Sequence, residues 1–403
     1  MKKYVLMLVS SFILVFGATA SYAQDAGWFG YMIDSMTGDI WRVSASSSEE
    51  LPTLGISENQ YIGNVDGVFS ASGDQMAYCV IDYPTDGSAS VANLYIRNVN
   101  DGSQIYTENL GTIMGCRTAI NAEGTSIAVA LIRYFAGDTE ADTALPAWEL
   151  QVRDATTGAV THVLTPESPE IGALEPAVES SVIAYIYNWQ GDQMIFSLLP
   201  YATGIPNEWP AYTWDLTAQT LVHTPEWDTF FHAYLAENNE LVYITQDPNL
   251  PYAVPMGPTA ANNVVMSRIF GQEPITIHHE GEWVLQEIRF IDGGQAVAAH
   301  LVQGFDESME TMEFLSHWVR IGRDGQVSEL AESDSNGFLN IIGTNTGWLA
   351  LRYRMDTGYT LDEHVGGTST RIWESTDLAS NWTFVLADDG ITETTFPPFA
   401  SSN

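Results

Sequence analysis

Short stretches of alternating apolar and polar residues, separated by polar turns, recur along most of the chain. In "LQVRDATTGAV" (residues 150–160) one such stretch is followed by a polar turn and by the start of a second stretch. A period of two is typical of a strand with one buried face, and two such stretches around a short polar turn predict a β-hairpin. Similar hairpins begin at Asp39, Leu94, Ala211 and His317.

A second kind of hairpin lies upstream of these and sets the spacing of a repeat. The last apolar residue of its first strand falls, copy by copy, at Phe69, Ile120, Val178, Leu235, Phe290 and Ile342. The intervals between these positions run from 51 to 58 residues. A repeat of this length with four short strands predicts a β-propeller blade, because one twisted four-stranded sheet leaves its faces uncovered and must pack on neighbours around an axis.

The two ends of the chain supply complementary parts of one further repeat. The C-terminal "FPPFASSN" (residues 396–403) matches the first strand and turn, with Phe399 at the aligned position, and "GWFGYMID" (residues 27–34) matches the second strand. We therefore predict an all-β, seven-bladed propeller of four-stranded antiparallel blades. Six blades are continuous, and the seventh closes the ring when the C-terminal strand pairs with the N-terminal blade, which removes exposed sheet edges.

Two motifs resemble known propeller families. The stretch "FSASGDQMAY" (residues 69–78) resembles the F-S-P-D-G-x-x-[IL]-A-Y motif of TolB-like, WD40-like bacterial propellers, and this likeness extends over almost the whole chain after the N-terminus. The stretch "STDLASNW" resembles the Asp-box S-x-D-x-G-x-x-W of sialidases, with Ala379 in place of glycine. That resemblance implies that Ser375, Asp377 and Trp382 hold a peripheral hairpin together and are not catalytic.

The N-terminus has the layout of a secretory signal peptide. Lys2 and Lys3 precede an apolar run over residues 4–16, and small residues lead to a cleavage site near Ala23. An uncleaved membrane anchor is the alternative, but the run is short for a membrane span. We expect a signal peptide over residues 1–23, a single propeller domain over 24–403, and an exported, extracellular or periplasmic protein with no transmembrane segment after signal removal.

Charge excludes two classes of partner. The chain has 14 Lys and Arg against 51 Asp and Glu, for a net charge of −37, and both lysines lie in the signal peptide. Such a surface repels nucleic acid and anionic membranes. The sequence contains neither a G-x-S-x-G nor an H-E-x-x-H motif, so we predict no catalytic residue, no cofactor and no metal site.

Cys79 and Cys116 are the two cysteines of the chain. An even number of cysteines in an exported protein suggests a disulfide, whereas two separate buried thiols would act as small apolar residues. The sequence leaves both alternatives open.

Polar residues recur three positions before the aligned apolar residues, near the predicted mouth of the central channel. They are Asp66, Arg117, Glu175, His232 and Glu287. A ring of these side chains could bind a polar or cationic ligand at a site where propellers commonly offer a cavity. The alternative is that the ends of the first strands are simply solvated.

The long connections between second and third strands are the other candidate surface. Residues 188–212, 246–263 and 304–317 are rich in aromatic residues, methionine and proline, and Trp189, Tyr201, Trp209 and Tyr252 could stack on sugars or anchor a protein. Such residues could equally cap the underlying blades.

These features predict a monomeric, non-catalytic propeller that acts as a binding or interaction module for a protein or glycan. The alternative is a sialidase-like propeller that binds or hydrolyses glycans. That alternative requires clustered arginines, and Arg117, Arg289 and Arg352 are candidates near the inner strands, although their spacing does not make them converge.

Overall fold

The computed structural model describes residues 27–402 except 65–67, 71, 86–88, 122, 134–144, 175–181, 201–209, 230, 246–262, 282, 304–315, 333–336, 390 and 392–395. The predicted signal peptide therefore lies outside the described residues. Helical structure in the described residues is limited to the short α1 (Pro169–Gly172) and to 3-10 turns at Pro225–Trp227, Ala236–Asn238 and Asp292–Gly294.

Short β-strands make up nearly all of the regular structure. The first fourteen are β1 (Phe29–Asp34), β2 (Ile40–Ser44), β3 (Ser47–Leu51), β4 (Gln60–Ile62), β5 (Gln75–Asp82), β6 (Val91–Asn98), β7 (Gln104–Thr112), β8 (Gly115–Ile120), β9 (Ser126–Ile132), β10 (Trp148–Asp154), β11 (Val160–Leu164), β12 (Val182–Gln190), β13 (Gln193–Pro200) and β14 (Ala211–Asp215). The others are β15 (Thr220–His223), β16 (His232–Leu235), β17 (Glu240–Thr245), β18 (Val264–Ile269), β19 (Ile275–His279), β20 (Trp283–Ile291), β21 (Ala296–Gln303), β22 (Ser316–Gly322), β23 (Val327–Glu332), β24 (Gly337–Gly343), β25 (Trp348–Arg354), β26 (Gly358–Val365), β27 (Thr368–Ser375) and β28 (Trp382–Asp388).

The strands form seven four-stranded antiparallel sheets, which confirms the predicted seven-bladed propeller. Blade 1 contains β28, β1, β2 and β3, and blades 2 to 7 take the following strands four at a time, from β4–β7 to β24–β27. In blade 1 the C-terminal β28 pairs with β1, with Gly30 opposite Leu386 and Met32 opposite Phe384. The ring is thus closed by strands from the two ends of the chain.

Hydrophobic packing between neighbouring blades holds the ring together. The described buried residues form seven apolar clusters, and each lies between two adjacent blades. Second strands such as β9 are buried along almost their whole length because both faces are covered, whereas fourth strands such as β11 are largely exposed. This gradient explains why a second strand such as β9 is a nearly continuous run of apolar residues.

The prediction that the C-terminal tail forms the closing strand is wrong. The closing strand is β28, and residues 396–402 instead pack on blades 5 and 6, where Ala400 N–H donates to the Arg323 carbonyl and Ser402 N–H to that of Thr276. Pro397 and Pro398 explain the error, because proline has no N–H to donate to a strand ladder. Phe399 instead joins the apolar cluster between blades 5 and 6.

The alignment of blade 4 was also shifted by one strand. The placement of Val178 at the end of the first strand implies that the second strand follows it and that residues 188–212 connect the second and third strands. Residues 182–190 instead form the first strand β12, the turn follows at Gly191 and Asp192, and residues 193–200 form the second strand β13. Val178 lies outside the described residues. Ile120, Leu235, Phe290 and Ile342 do lie at or next to the ends of first strands, as predicted.

The disulfide links two adjacent blades near the axis. Cys79 on β5 of blade 2 is bonded to Cys116 on β8 of blade 3, with a Cα–Cα distance of 6.3 Å. Both side chains are buried in the apolar cluster between these blades. The structure thus decides between the two alternatives that the sequence leaves open.

Candidate functional site

The connections of the ring lie on two opposite faces. We call the face that carries the connections between second and third strands, and from blade to blade, the loop face. The opposite face, with the tight turns after the first and third strands, is the turn face. The C-terminal residues 396–402 lie along the turn face, next to the turns that contain Gly294 and Arg323.

Large exposed apolar side chains are concentrated on the loop face. They form an arc over blades 7, 1, 2 and 3, which we call the apolar arc: Met36, Tyr83, Met114, Leu145, Phe338, Met355 and Leu378. The other large exposed apolar residues in the described part of the chain are valines on third or fourth strands: Val160, Val163, Val222, Val327 and Val365. The two faces of the ring therefore differ in polarity.

Blade 7 provides a rigid part of the apolar arc. Phe338 on β24 stacks on Tyr353 of β25, with ring centroids 5.6 Å apart, and Tyr353 packs on Tyr359 of β26 at 4.6 Å. The Tyr359 hydroxyl donates to the Ser380 carbonyl, which fixes the base of the stack. Phe338 is 44% exposed at its top, and Met355 in the adjoining turn is 67% exposed.

A polar cleft of about 660 Å³ opens on the other side of blade 7. Arginines from two strands line it together with acidic and hydroxyl side chains: Arg352, Arg354, Asp356, Thr357, Thr360, Asp362, Arg371, Glu374, Ser375 and Thr376. We call it the blade 7 cleft. Its volume lies in the range of small-molecule sites.

Ion pairs organise the outer wall of the cleft. The Arg371 guanidinium donates to the carboxylates of both Asp362 and Glu374, and the Glu374 contact is 2.8 Å long. These hydrogen bonds, led by the one to Asp362, raise the pKa of Arg371. The guanidinium is therefore held in place and stays charged.

The predicted ring of polar residues is only partly described. Asp66 and Glu175 lie outside the described residues. The Arg117 guanidinium lies 4.4 Å from the centre of the Tyr185 ring in blade 4, and Arg289 pairs with Glu287 at 3.5 Å. These contacts involve different partners and do not by themselves assemble a common site.

His232 takes part in aromatic packing between blades 4 and 5. Its Nδ1–H donates to the Thr229 carbonyl, and its ring meets Tyr187 edge-on at 4.5 Å and Trp227 at 5.4 Å. Trp227 is buried in the cluster between these blades. The contacts of His232 described here are therefore those of a packed interface residue.

Trp189, the first residue of the predicted aromatic loop surface, is buried. Trp189 lies at the end of β12, its side chain is buried in the cluster between blades 3 and 4, and its Nε1–H donates to the Gly191 carbonyl. It therefore offers no stacking surface. Tyr201, Trp209 and Tyr252 lie outside the described residues.

The Asp-box-like stretch does not close a hairpin. Ser375 ends the outermost strand of blade 7 and Trp382 begins the innermost strand of blade 1, so the stretch joins two blades. The Asp377 carboxylate accepts the Ala379 N–H at 2.9 Å, and Trp382 packs edge-on against Trp373 at 4.8 Å. The stretch is thus the connection from blade 7 to blade 1 and not the peripheral hairpin that the resemblance implies.

Sequence reasoning missed most of the blade 7 cleft. Arg352 was noted only as a candidate near an inner strand, while Arg354, Asp362, Arg371 and Glu374 were not singled out. The available clue was the R-x-R spacing in "LRYRM", since alternate strand residues share a face. In a chain with so few basic residues, two arginines on one strand face are unusual.

The described residues show no group of three or more His, Cys, Asp or Glu side chains placed to bind a metal ion. Over the same part of the chain, the helices are too short and too polar to cross a membrane.

Comparisons with known proteins identify the fold only. No family model and no curated protein sequence matches the chain. Among solved structures it is similar to a prolyl endopeptidase, with 10% identity and a TM-score of 0.54 over 88% of this chain and 51% of that chain. It is also similar to prolyl oligopeptidase B from Galerina marginata, with 10% identity and a TM-score of 0.54 over 89% of this chain and 50% of that chain. A third similar structure is the dihydro-heme d1 dehydrogenase NirN, with 12% identity and a TM-score of 0.50 over 91% of this chain and 77% of that chain. The chain spans about half the length of the two prolyl peptidases.

Proposed function

We propose that this protein is an exported, monomeric, non-catalytic propeller that binds a partner protein through the apolar arc. The observation that carries the proposal is the placement of the large exposed apolar side chains of the connections on the loop face of blades 7, 1, 2 and 3. Exposed apolar side chains gathered on one face are typical of interaction sites, because burying them contributes about 25 cal/mol per Å² of apolar area.

The stack of Phe338, Tyr353 and Tyr359 would serve as the anchor of this interface. Aromatic side chains that are already fixed lose little conformational entropy on binding, and residues of this kind dominate interface energetics. Met355 beside the stack can adapt to a partner surface, since its unbranched side chain has three rotatable bonds.

Export and relation to TolB-like propellers are part of the proposal. The N-terminal signal peptide, cleaved near Ala23, supports export, and "FSASGDQMAY" supports a relation to TolB-like, WD40-like propellers. The peptidases among the structural neighbours are similar at 10% identity, and their activity is a property of chains about twice this length. A partner with a neutral or basic surface fits the acidic ring.

Affinity capture with matched variants tests the proposal. We expect the immobilised protein to retain a defined set of envelope proteins, and the double variant Phe338→Ser with Met355→Ser to lose at least nine-tenths of it. The control is Val222→Ser with Val327→Ser, which removes two exposed valines from fourth strands. Equal retention by all three proteins, or equal loss from both variants, would overturn the proposal.

Glycan binding is a second candidate function, and the blade 7 cleft is the observation that favours it. A site built around Arg117, Arg289 and Arg352 has less support, because Arg117 stacks on Tyr185 and Arg289 pairs with Glu287. Arg352 lies in the cleft instead.

A further inference from the structure

The blade 7 cleft gathers an unusual share of the positive charge of this protein. Apart from the two lysines near the N-terminus, the basic side chains that stay charged at neutral pH are twelve arginines, and Arg352, Arg354 and Arg371 line this one cleft. Elsewhere the chain is strongly acidic. The cleft is therefore a local exception to the field of the whole molecule, and such exceptions occur at binding sites.

Strand geometry explains how two of these arginines come together. Alternate residues of β25 face blade 6, and along this face Trp348 and Ala350 join the apolar cluster between the blades. Arg352 and Arg354 continue the same face toward the loop face, with Cα atoms about 6.6 Å apart by strand geometry. On this face of β25 the apolar residues that pack between blades 6 and 7 are therefore followed by two arginines.

The neighbouring strands complete the cleft with hydroxyl and carboxylate acceptors. Thr360 lies directly opposite Arg352, and Glu374 lies opposite Thr360 on the next strand. Gly358 lies opposite Arg354, and its backbone has φ +87. A Cβ at this position would lie 2.2 Å from the Ser375 carbonyl oxygen, so only glycine allows β26 and β27 to approach this closely here.

The charges are arranged by strand. Asp362 and Glu374 both accept from Arg371, so the outer wall has one more carboxylate than guanidinium. Arg352 and Arg354 lie on β25, with Asp356 beside them in the turn. Two of the three guanidinium groups of the cleft therefore lie on the side formed by β25, and hydroxyl and carboxylate groups line the opposite side.

We propose that the blade 7 cleft binds a sugar acid, a small ligand that carries one carboxylate and several hydroxyl groups. The ligand carboxylate lies between Arg352 and Arg354, because guanidinium groups match carboxylate geometry with paired hydrogen bonds. The ligand hydroxyl groups bond to Thr360 and to the carboxylate of Glu374. This assignment rests on the second candidate function, glycan binding, and names its ligand class. The cleft is distinct from the proposed protein interface, although Tyr359 of the aromatic stack also lines it.

Calorimetric titration with single sugars tests the assignment. We expect D-galacturonate to bind in 150 mM NaCl with a Kd near 1 mM or below, and D-galactose and acetate to bind at least tenfold more weakly. The double variant Arg352→Gln with Arg354→Gln should weaken galacturonate binding at least tenfold. The control Arg320→Gln removes another partly exposed, ion-paired arginine on the turn face and should leave the Kd unchanged.

A second variant distinguishes loss of ligand binding from loss of the folded structure. Thr360→Val keeps a β-branched strand residue of similar shape but removes the hydroxyl, so we expect an unchanged melting temperature and a Kd for galacturonate at least threefold higher. No binding of galacturonate, equal affinity for galactose or acetate, or an equal effect of Arg320→Gln would overturn the proposal. None of these outcomes depends on a protein partner, so the site and the proposed interface fail independently.

Discussion

Arg323 and Glu240 form a buried ion pair between blades 6 and 5, with Nη2 and Oε2 2.7 Å apart. The same guanidinium donates to the carbonyls of Gly294 and Pro397 and lies 4.4 Å from the centre of the Phe399 ring. One side chain therefore joins two blades and the C-terminal segment. It attaches the C-terminal segment to the ring, separately from the pairing of β28 with β1.

Removal of this guanidinium should strongly destabilise the protein. Arg323→Ala leaves the Glu240 carboxylate buried without its charged partner, which typically costs about 3–5 kcal/mol. The free energy of unfolding from urea titration measures the loss. The matched control is Arg320→Ala, whose partner Asp292 is partly exposed, and we expect about 1 kcal/mol or less. Similar losses in the two variants would contradict the role assigned to Arg323.

Phe399 should contribute to stability although it lies outside every strand. Its side chain is 3% exposed, and Phe399→Ala should lower the free energy of unfolding by about 3–5 kcal/mol because a cavity remains between blades 5 and 6. The far-UV circular dichroism should not change, because β28 and β1 still pair. Leu378→Ala, at a site that is 48% exposed, is the control and should change stability little. A neutral Phe399→Ala would mean that the tail is dispensable.

Asp389 should make stability decrease with rising pH. Burial, reinforced by the nearby carboxylates of Glu237 and Asp388, raises its pKa from the usual 3.8 to about 6, although the Ile391 N–H bonded to its carboxylate opposes the shift. The folded state therefore binds the proton more tightly than the unfolded chain. The contribution is complete below the usual pKa of 3.8 and is lost as the pH rises through about 6.

Unfolding titrations at pH 4, 5, 6 and 7 with the wild type and Asp389→Asn isolate this effect from that of other carboxylates. We expect the wild type to lose stability relative to the variant as the pH rises from 4 through 6, and the difference to level off near pH 7. A difference that stays constant from pH 4 to 7 would show that the carboxyl group titrates normally.

The Cys79–Cys116 disulfide should stabilise the contact between blades 2 and 3. It links positions 37 residues apart, and closing a loop of this size in the unfolded chain contributes about 3–4 kcal/mol. The double variant Cys79→Ala with Cys116→Ala should lose this amount. Dithiothreitol should destabilise the wild type and leave the variant unchanged, and a wild type that is insensitive to full reduction would contradict the prediction.

The sequence by itself determined the architecture. Blade number, four strands per blade and closure by both ends of the chain follow from strand alternation and turn residues, which are local properties. The aligned positions Ile120, Leu235 and Phe290 lie near the ends of first strands because the same backbone geometry returns in each blade. Because each of the seven repeats packs only on its neighbours, the local pattern largely determines the geometry of the ring.

Only the tertiary structure decided which side chains meet. Phe399 has the spacing of a strand residue but fills the space between blades 5 and 6, and Trp189 looks like a loop residue but is buried in blade 4. Arg352 and Arg371 are 19 positions apart in the sequence and line one cleft, because β25 and β27 flank the same strand. Contacts of this kind depend on packing between strands and blades that is distant in sequence, so no local pattern specifies them.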